Sequence, residues 1–192
     1  FQPQISLEDG KLVGVEALAR WHHPERGLIS PDQFMAMAER CNLIDALDGQ
    51  IMLNAFQAYR QSRMEGVDLG KLSINASGPA LRAPDFCDLL LNVAAGNDIH
   101  PSDVTVEILE NIFIQEDTDP AIQTLHKLCR AGFGVAIDDF GVGYSSLSRI
   151  SRGEISAIKI DRSLVHLSGT GNMDTILRAT AAMAKGMSAT LL

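Results

Sequence analysis

Ala136–Ser146, AIDDFGVGYSS, is the stretch on which the reading of the fold turns. An apolar run, Val135 to Ile137, ends in two adjacent carboxylates, Asp138 and Asp139, and a glycine- and hydroxyl-rich turn follows at once. In a regular strand neighbouring side chains point to opposite faces. At a strand end, where the backbone bends into a glycine turn, both carboxylates can reach one site. Two like charges placed there raise each other's pKa and destabilise the fold unless something neutralises them.

Working outward, the same design recurs. Strand-like segments FQPQI, LVGVEALARW (Leu12 to Trp21), LSINAS, DVTVEIL, GVAIDD and SAIKID are interleaved with helical ones. The helical segments run from Pro31 to Arg40, from Ile44 to Glu65, and over PDFCDLLLNVAAG, DPAIQTLHKLCRAG and NMDTILRATAAMAKG, with a short helix expected from Tyr144. HPERGLISP reads as a loop that ends in Ser30-Pro31, a cap followed by proline at the first helical position. A last apolar piece, ATLL, closes the chain. Strands alternating with helices imply an α/β fold with parallel strands and crossover helices. No G-x-G-x-x-G follows the first strands, which disfavours an open nucleotide-binding sheet.

Each strand breaks its apolar character within or at its C-terminal end: Glu16, Asn75, Glu107, Asp138 with Asp139, and Lys159. In a (β/α) barrel those ends ring one face, and reacting groups come from several strands there. Four carboxylates and an amide meeting on that face call for a cation, and an all-oxygen set suits Mg²⁺ or Mn²⁺. Two such ions can clamp a phosphoryl oxygen and activate water for in-line attack. Lys159 fits beside them as a cation that orients the water or steadies developing charge. Taken singly, each residue also has a purely structural reading. Glu16 could pair with Arg20, Asn75 could cap a helix, Asp138 and Asp139 could be solvated, and Lys159 could pair with Asp161.

Composition narrows the partners. The 192 residues, with a net charge of −8, suffice for one domain with a sizeable core. No cluster of Lys and Arg fits a phosphate backbone, so duplex nucleic acid is not an expected partner. Cys41, Cys87 and Cys129 lie far apart with no C-x-x-C pair, the pattern of reduced, buried thiols in a cytosolic protein and not of a disulfide framework or a zinc site. Adjacent His22 and His23 are poorly spaced to share a metal. No run approaches a membrane span and no signal peptide is evident. Phe1 at the first position suggests that the chain begins inside a larger protein.

The motifs then match a known family. VEALARWHHPERGLISPDQF resembles the signature of the bacterial EAL domain, the cyclic-di-GMP phosphodiesterases, whose motif name is spelled by Glu16-Ala17-Leu18. SINAS resembles its strand-end asparagine motif. VEILEN is similar to its E-I-T-E-S motif, with Asn111 where serine is usual. AIDDFGVGYSSLS resembles the double-aspartate motif and its following loop, and IKIDRSLV the lysine motif. The resemblance covers the whole chain, as one EAL phosphodiesterase domain over residues 1–192.

It implies a modified TIM barrel with an antiparallel first strand, and hydrolysis of cyclic-di-GMP to pGpG with two Mg²⁺ or Mn²⁺ ions. Glu16, Asn75, Glu107 and Asp138 would ligate metal, Asp138 serving both ions, and Asp139 would hold the second. Lys159 would contact the attacking water, with Glu16 and Asp138 as its partners in catalysis. Gln2, Leu18 and Arg20 would bind substrate, and Glu110 would brace the loop from Phe140 to Ser146. A homodimer, upstream sensory or diguanylate-cyclase domains, and a cytoplasmic location, either free or as part of a membrane-anchored signalling protein, are further implications. The family's later A-E-G-V-E and Q-G-Y motifs are not found before Leu192, so the domain is expected to lack its last two strands, about 50 residues. The 192-residue stretch alone would then be inactive. A non-hydrolysing cyclic-di-GMP receptor is the alternative, although such domains usually lose the metal ligands retained here.

Overall fold

The computed structural model describes residues 1–114, 118–141, 155–166 and 171–192. β1 (Gln2–Ile5) runs antiparallel to β2 (Leu12–Ala17). β3 (Trp21–His23) and β4 (Gly27–Ile29) form a separate antiparallel hairpin. β5 (Lys71–Asn75), β6 (Val104–Leu109), β7 (Gly134–Phe140), β8 (Ala157–Ile160) and β9 (Thr190–Leu191) follow β2 in the main sheet, each parallel to its neighbour. The sheet order β1-β2-β5-β6-β7-β8-β9 leaves β1 and β9 as its edges, so the strands form a curled arc, part of a barrel with an antiparallel first strand. This is the α/β architecture that the alternation predicts.

The helices are α1 (Pro31–Arg40), α2 (Ile44–Met64), α3 (Gly78–Arg82), α4 (Phe86–Gly96), α5 (Pro120–Arg130), α6 (Arg162–His166) and α7 (Gly171–Gly186). Leu72 and Ile74, Val104, Val106 and Ile108, Val135 and Ile137, and Ile158 pack into one core with Phe56 of α2, Leu90 of α4 and Leu128 of α5. Full burial of each such side chain contributes roughly 1.5–3 kcal/mol. The period of two sends the alternate residues to the other side of the sheet. These are Ser73 and Asn75, Thr105 and Glu107, Ala136 and Asp138, Ala157 and Lys159, and so the apolar half of each strand fixes where the polar half points.

Several local features differ from the sequence reading. The second strand stops at Ala17 and not at Trp21. The segment expected as a loop after it is a hairpin, turned by His23, whose Nδ1 accepts the N–H groups of Glu25 (3.1 Å) and Arg26 (3.3 Å). Ser77 caps the unanticipated α3 by accepting the Ala80 N–H at 3.2 Å. Ser30 precedes α1 as expected, but its side chain makes no capping bond. Of the three cysteines expected to be buried, Cys87 is, Cys129 is half-buried, and Cys41, just past the end of α1, is exposed. The helix expected from Tyr144 lies outside the described residues. Among those described, no helix is long and apolar enough to cross a membrane.

Candidate metal centre

Four parallel strands bring the polar residues together by register. Glu16 lies beside Ser73, Asn75 beside Glu107, and Leu109 beside Asp138. Gln2, across the antiparallel pair, lies opposite Glu16. The outcome is a cluster in which one oxygen from each of Glu16, Glu107 and Asp138 lies within 4.8 Å of the others. Asn75 joins it by donating from Nδ2 to Glu16 Oε1 at 3.1 Å.

Lys159 sits among the three acids. Its Nζ is 3.0 Å from Glu16 Oε2, 2.5 Å from Glu107 Oε2 and 3.1 Å from Asp138 Oδ1. Neither Asp161 nor Arg20 takes the pairing that the structural readings gave them. Asp161 Oδ1 accepts the Ser163 N–H at 2.8 Å at the start of α6. The Arg20 guanidinium donates to the Ala19 carbonyl at 2.8 Å and is exposed.

The electrostatics follow from burial. The Glu107 side chain is fully buried, and burial, reinforced by the Glu16 and Asp138 charges against the pull of Lys159, raises its pKa to about 7. Among the described residues its Oε1 has no hydrogen-bond partner. Burial also works to raise Glu16, but the hydrogen bond and charge of Lys159 outweigh it and the net shift is downward. For Lys159 itself burial works to lower the pKa, and the Glu107, Asp138 and Glu16 carboxylates overcome it and raise it. A buried carboxylate oxygen without a donor beside two more carboxylates is a poor ending for a fold but a suitable seat for a hard cation. The donor set therefore fits a divalent ion of the Mg²⁺ or Mn²⁺ type.

The remaining predicted residues fall around this centre. Asp139 is exposed and adopts φ 52°, where β7 and β8 slip register between Ile137 and Phe140. Its N–H bonds to Asp138 Oδ1 at 3.0 Å. Its carboxyl does not join the cluster of three, yet partial desolvation of the carboxyl and then the Asp138 and Asp161 charges raise its pKa, which places it within electrostatic reach. Leu18 and Arg20 line a cleft of about 820 Å³, walled by Trp21, Phe34 and the α1–α2 pair, and none of the clustered acids lines it. Glu110 is buried and its Oε2 accepts the Gly141 N–H at 3.0 Å, at the start of the loop it was expected to brace. That loop from position 142 onward lies outside the described residues.

Sequence reasoning missed the small residues that make room for this cluster. Gly134, Ala136 and Ala157 occupy the same side of their strands as the acids. A Cβ at Gly134 would lie 3.0 Å from Thr105 Oγ1. The period-two alternation within GVAIDD and SAIKID carried that signal.

Comparison with known proteins agrees with this geometry. The EAL domain family matches residues 1–192. A cyclic di-GMP phosphodiesterase of Pseudomonas aeruginosa is 32% identical over 185 residues, which cover 96% of this chain and 31% of that protein. The bifunctional diguanylate cyclase/cyclic di-GMP phosphodiesterase MucR of the same organism is 35% identical over 170 residues, 86% of this chain and 24% of that protein. The chain thus spans less than a third of the length of these curated relatives. A solved structure, the PaMucR phosphodiesterase in complex with c-di-GMP, superposes with a TM-score of 0.90 at 31% identity, covering 99% of this chain and 77% of that one.

Proposed function

This chain belongs to the EAL domain family, and from that premise we propose that it forms the phosphodiesterase unit of a larger signalling protein, hydrolysing cyclic-di-GMP to linear pGpG. The observation that carries the reading is the convergence of Glu16, Glu107 and Asp138 from three different strands to within 4.8 Å, with one buried oxygen left unpaired. The activities named for the relatives and the c-di-GMP complex named for the PaMucR structure support it.

In this reading Glu16, Asn75, Glu107 and Asp138 would hold one ion of the Mg²⁺ or Mn²⁺ type, and Asp138 and Asp139 would hold a second. Bound ions of this kind offset the charge of a phosphodiester and acidify water at neutral pH. Their positive charge also lets a protein of net charge −8 accept an anionic dinucleotide. Lys159, anchored on β8, steadies negative charge and orients the water on the phosphate. Asn75 keeps Glu16 oriented through its amide. Gln2 lies opposite Glu16, and Leu18 and Arg20 line the adjoining cleft, where they contact substrate, Arg20 at a phosphate. Glu110 holds Gly141 and so sets the exit of β7. The active unit is a homodimer on the cytoplasmic side of the cell, joined to sensory or diguanylate-cyclase domains; the bifunctional name of the MucR relative supports the linked cyclase domain.

The test uses the full-length protein with cyclic-di-GMP and Mg²⁺ or Mn²⁺. Formation of pGpG, abolished in a folded Glu16→Ala variant, is expected. A folded, metal-loaded protein that binds the dinucleotide and releases no pGpG would overturn the enzyme reading in favour of a receptor.

A further inference from the structure

We propose that Lys159 is the resident counter-ion of the acidic cluster, and that the first divalent ion competes with its ammonium for Glu107 and Asp138 and displaces it. The proposal rests on the metal-binding part of the reading above, but not on turnover.

The oxygen inventory is the argument. Glu16 offers Oε1 to the Asn75 amide and Oε2 to Lys159. Asp138 Oδ1 receives both the Asp139 N–H and Lys159. Glu107 Oε2 holds Lys159 at 2.5 Å, and its Oε1 is the buried oxygen without a partner. A Mg²⁺-type ion requires several oxygens at about 2.0–2.2 Å. Glu107 Oε1 can supply one such bond at once. Lys159 Nζ sits where Glu16 Oε2, Glu107 Oε2 and Asp138 Oδ1 converge, so an ion that draws an oxygen from each of the three acids competes with the ammonium for that point.

Charge leads to the same conclusion. Among the described residues, Lys159 is the cation paired with these three carboxylates. Without it the cluster would carry three like charges in a space that is nearly closed to water, a strongly destabilising arrangement. A divalent ion takes over that role with twice the charge. The flexible four-carbon stem then lets the ammonium swing off the ligands without moving β8. Lys159 is thereby delivered to the substrate side of the site only once the ion is in place, so a single side chain links metal loading to catalytic readiness.

The experiment compares the full-length wild type with Lys159→Met, titrating Mn²⁺ by calorimetry and melting each protein in EDTA. The variant is expected to bind Mn²⁺ more tightly, by about tenfold or more, while its metal-free form melts several degrees lower. Equal or weaker Mn²⁺ binding by the folded variant overturns the proposal, whereas a merely structural role for Lys159 would weaken binding. Should the variant need Mn²⁺ to fold, the wild type alone decides. Acylation of Lys159 by acetic anhydride, read by peptide mass spectrometry, should rise several-fold when Mn²⁺ is added. An unchanged or reduced rate overturns the proposal. Mn²⁺ uptake without pGpG formation would count against the phosphodiesterase and leave these readouts standing, whereas no Mn²⁺ uptake by the wild type removes both the metal site and this proposal.

Discussion

Replacing Glu107 by glutamine should make the metal-free protein more stable at neutral pH and remove its response to metal. The Glu107 carboxyl is held up from 4.5 to about 7 chiefly by burial. Each pH unit of that displacement corresponds to about 1.4 kcal/mol, so at pH 8 its ionisation costs the fold up to about 3 kcal/mol. The attraction to Lys159 is already contained in that figure. Glutamine keeps an oxygen for the ammonium, which also retains Glu16 and Asp138. Allowing for relaxation, the expected gain is about 1–3 kcal/mol. The sign fixes the pH window. A carboxyl raised in the folded state contributes its full stability below its ordinary pKa, and loses it as pH rises through the folded value. The stability gap between variant and wild type should therefore open between pH 4.5 and about 7 and level off above. Urea denaturation in EDTA across that range measures it. With Mn²⁺ present the order should reverse, because the variant has lost a ligand. A variant less stable than wild type at pH 8 in EDTA, or a gap that does not change with pH, would refute the assignment of Glu107 as the strained member of the cluster.

Other perturbations probe the supports of the site. Glu110→Ala removes the acceptor of the Gly141 N–H, and turnover should fall by about tenfold or more while Mn²⁺ affinity changes little, as steady-state kinetics and calorimetry would show. Gly70 has φ 66°, and a Cβ there would lie 2.3 Å from the Val13 carbonyl oxygen, so Gly70→Ala must move β2 or its neighbour. Its expected cost is about 2–4 kcal/mol by urea denaturation, and a neutral result would refute that packing. Among the described residues Asp48 Oδ2 is buried without a partner, and burial, aided by the Asp45 charge, outweighs the Ser77 hydrogen bonds and raises the carboxyl's pKa. Asp48→Asn should accordingly stabilise the protein at pH 7 by on the order of 1 kcal/mol, with the gain fading as pH falls through the raised pKa and the wild-type carboxyl takes up its proton.

Most of this architecture was legible because one rule of geometry governs it. A period of two in KLSIN, VTVEIL and AIKI sends the aliphatic residues to the helices and leaves Asn75, Glu107 and Lys159 on the other side. What escaped the reading depends on contacts that a sequence does not display. The hairpin from Trp21 to Ile29 consists of three-residue strands held by a histidine side chain, with no alternation to reveal them. The pairing of Lys159 with three acids spans 52 residues to Glu107, and nothing local in SAIKID distinguishes it from a surface pair with Asp161. Asp139, expected to reach the same site as Asp138, adopts a positive φ beside the register slip and is not one of the three clustered acids. Its part in holding a second ion is proposed from the family resemblance and its electrostatic reach.

The most direct test of the central claim is the rate of pGpG formation by full-length protein loaded with Mn²⁺, set beside that of Asp138→Asn. The account predicts linear pGpG from the wild type, a loss of about a hundredfold or more in the variant, and no product from either after EDTA. An Asp138→Asn protein that retains turnover, or a wild type that binds cyclic-di-GMP and Mn²⁺ together without cleaving the dinucleotide, would contradict it.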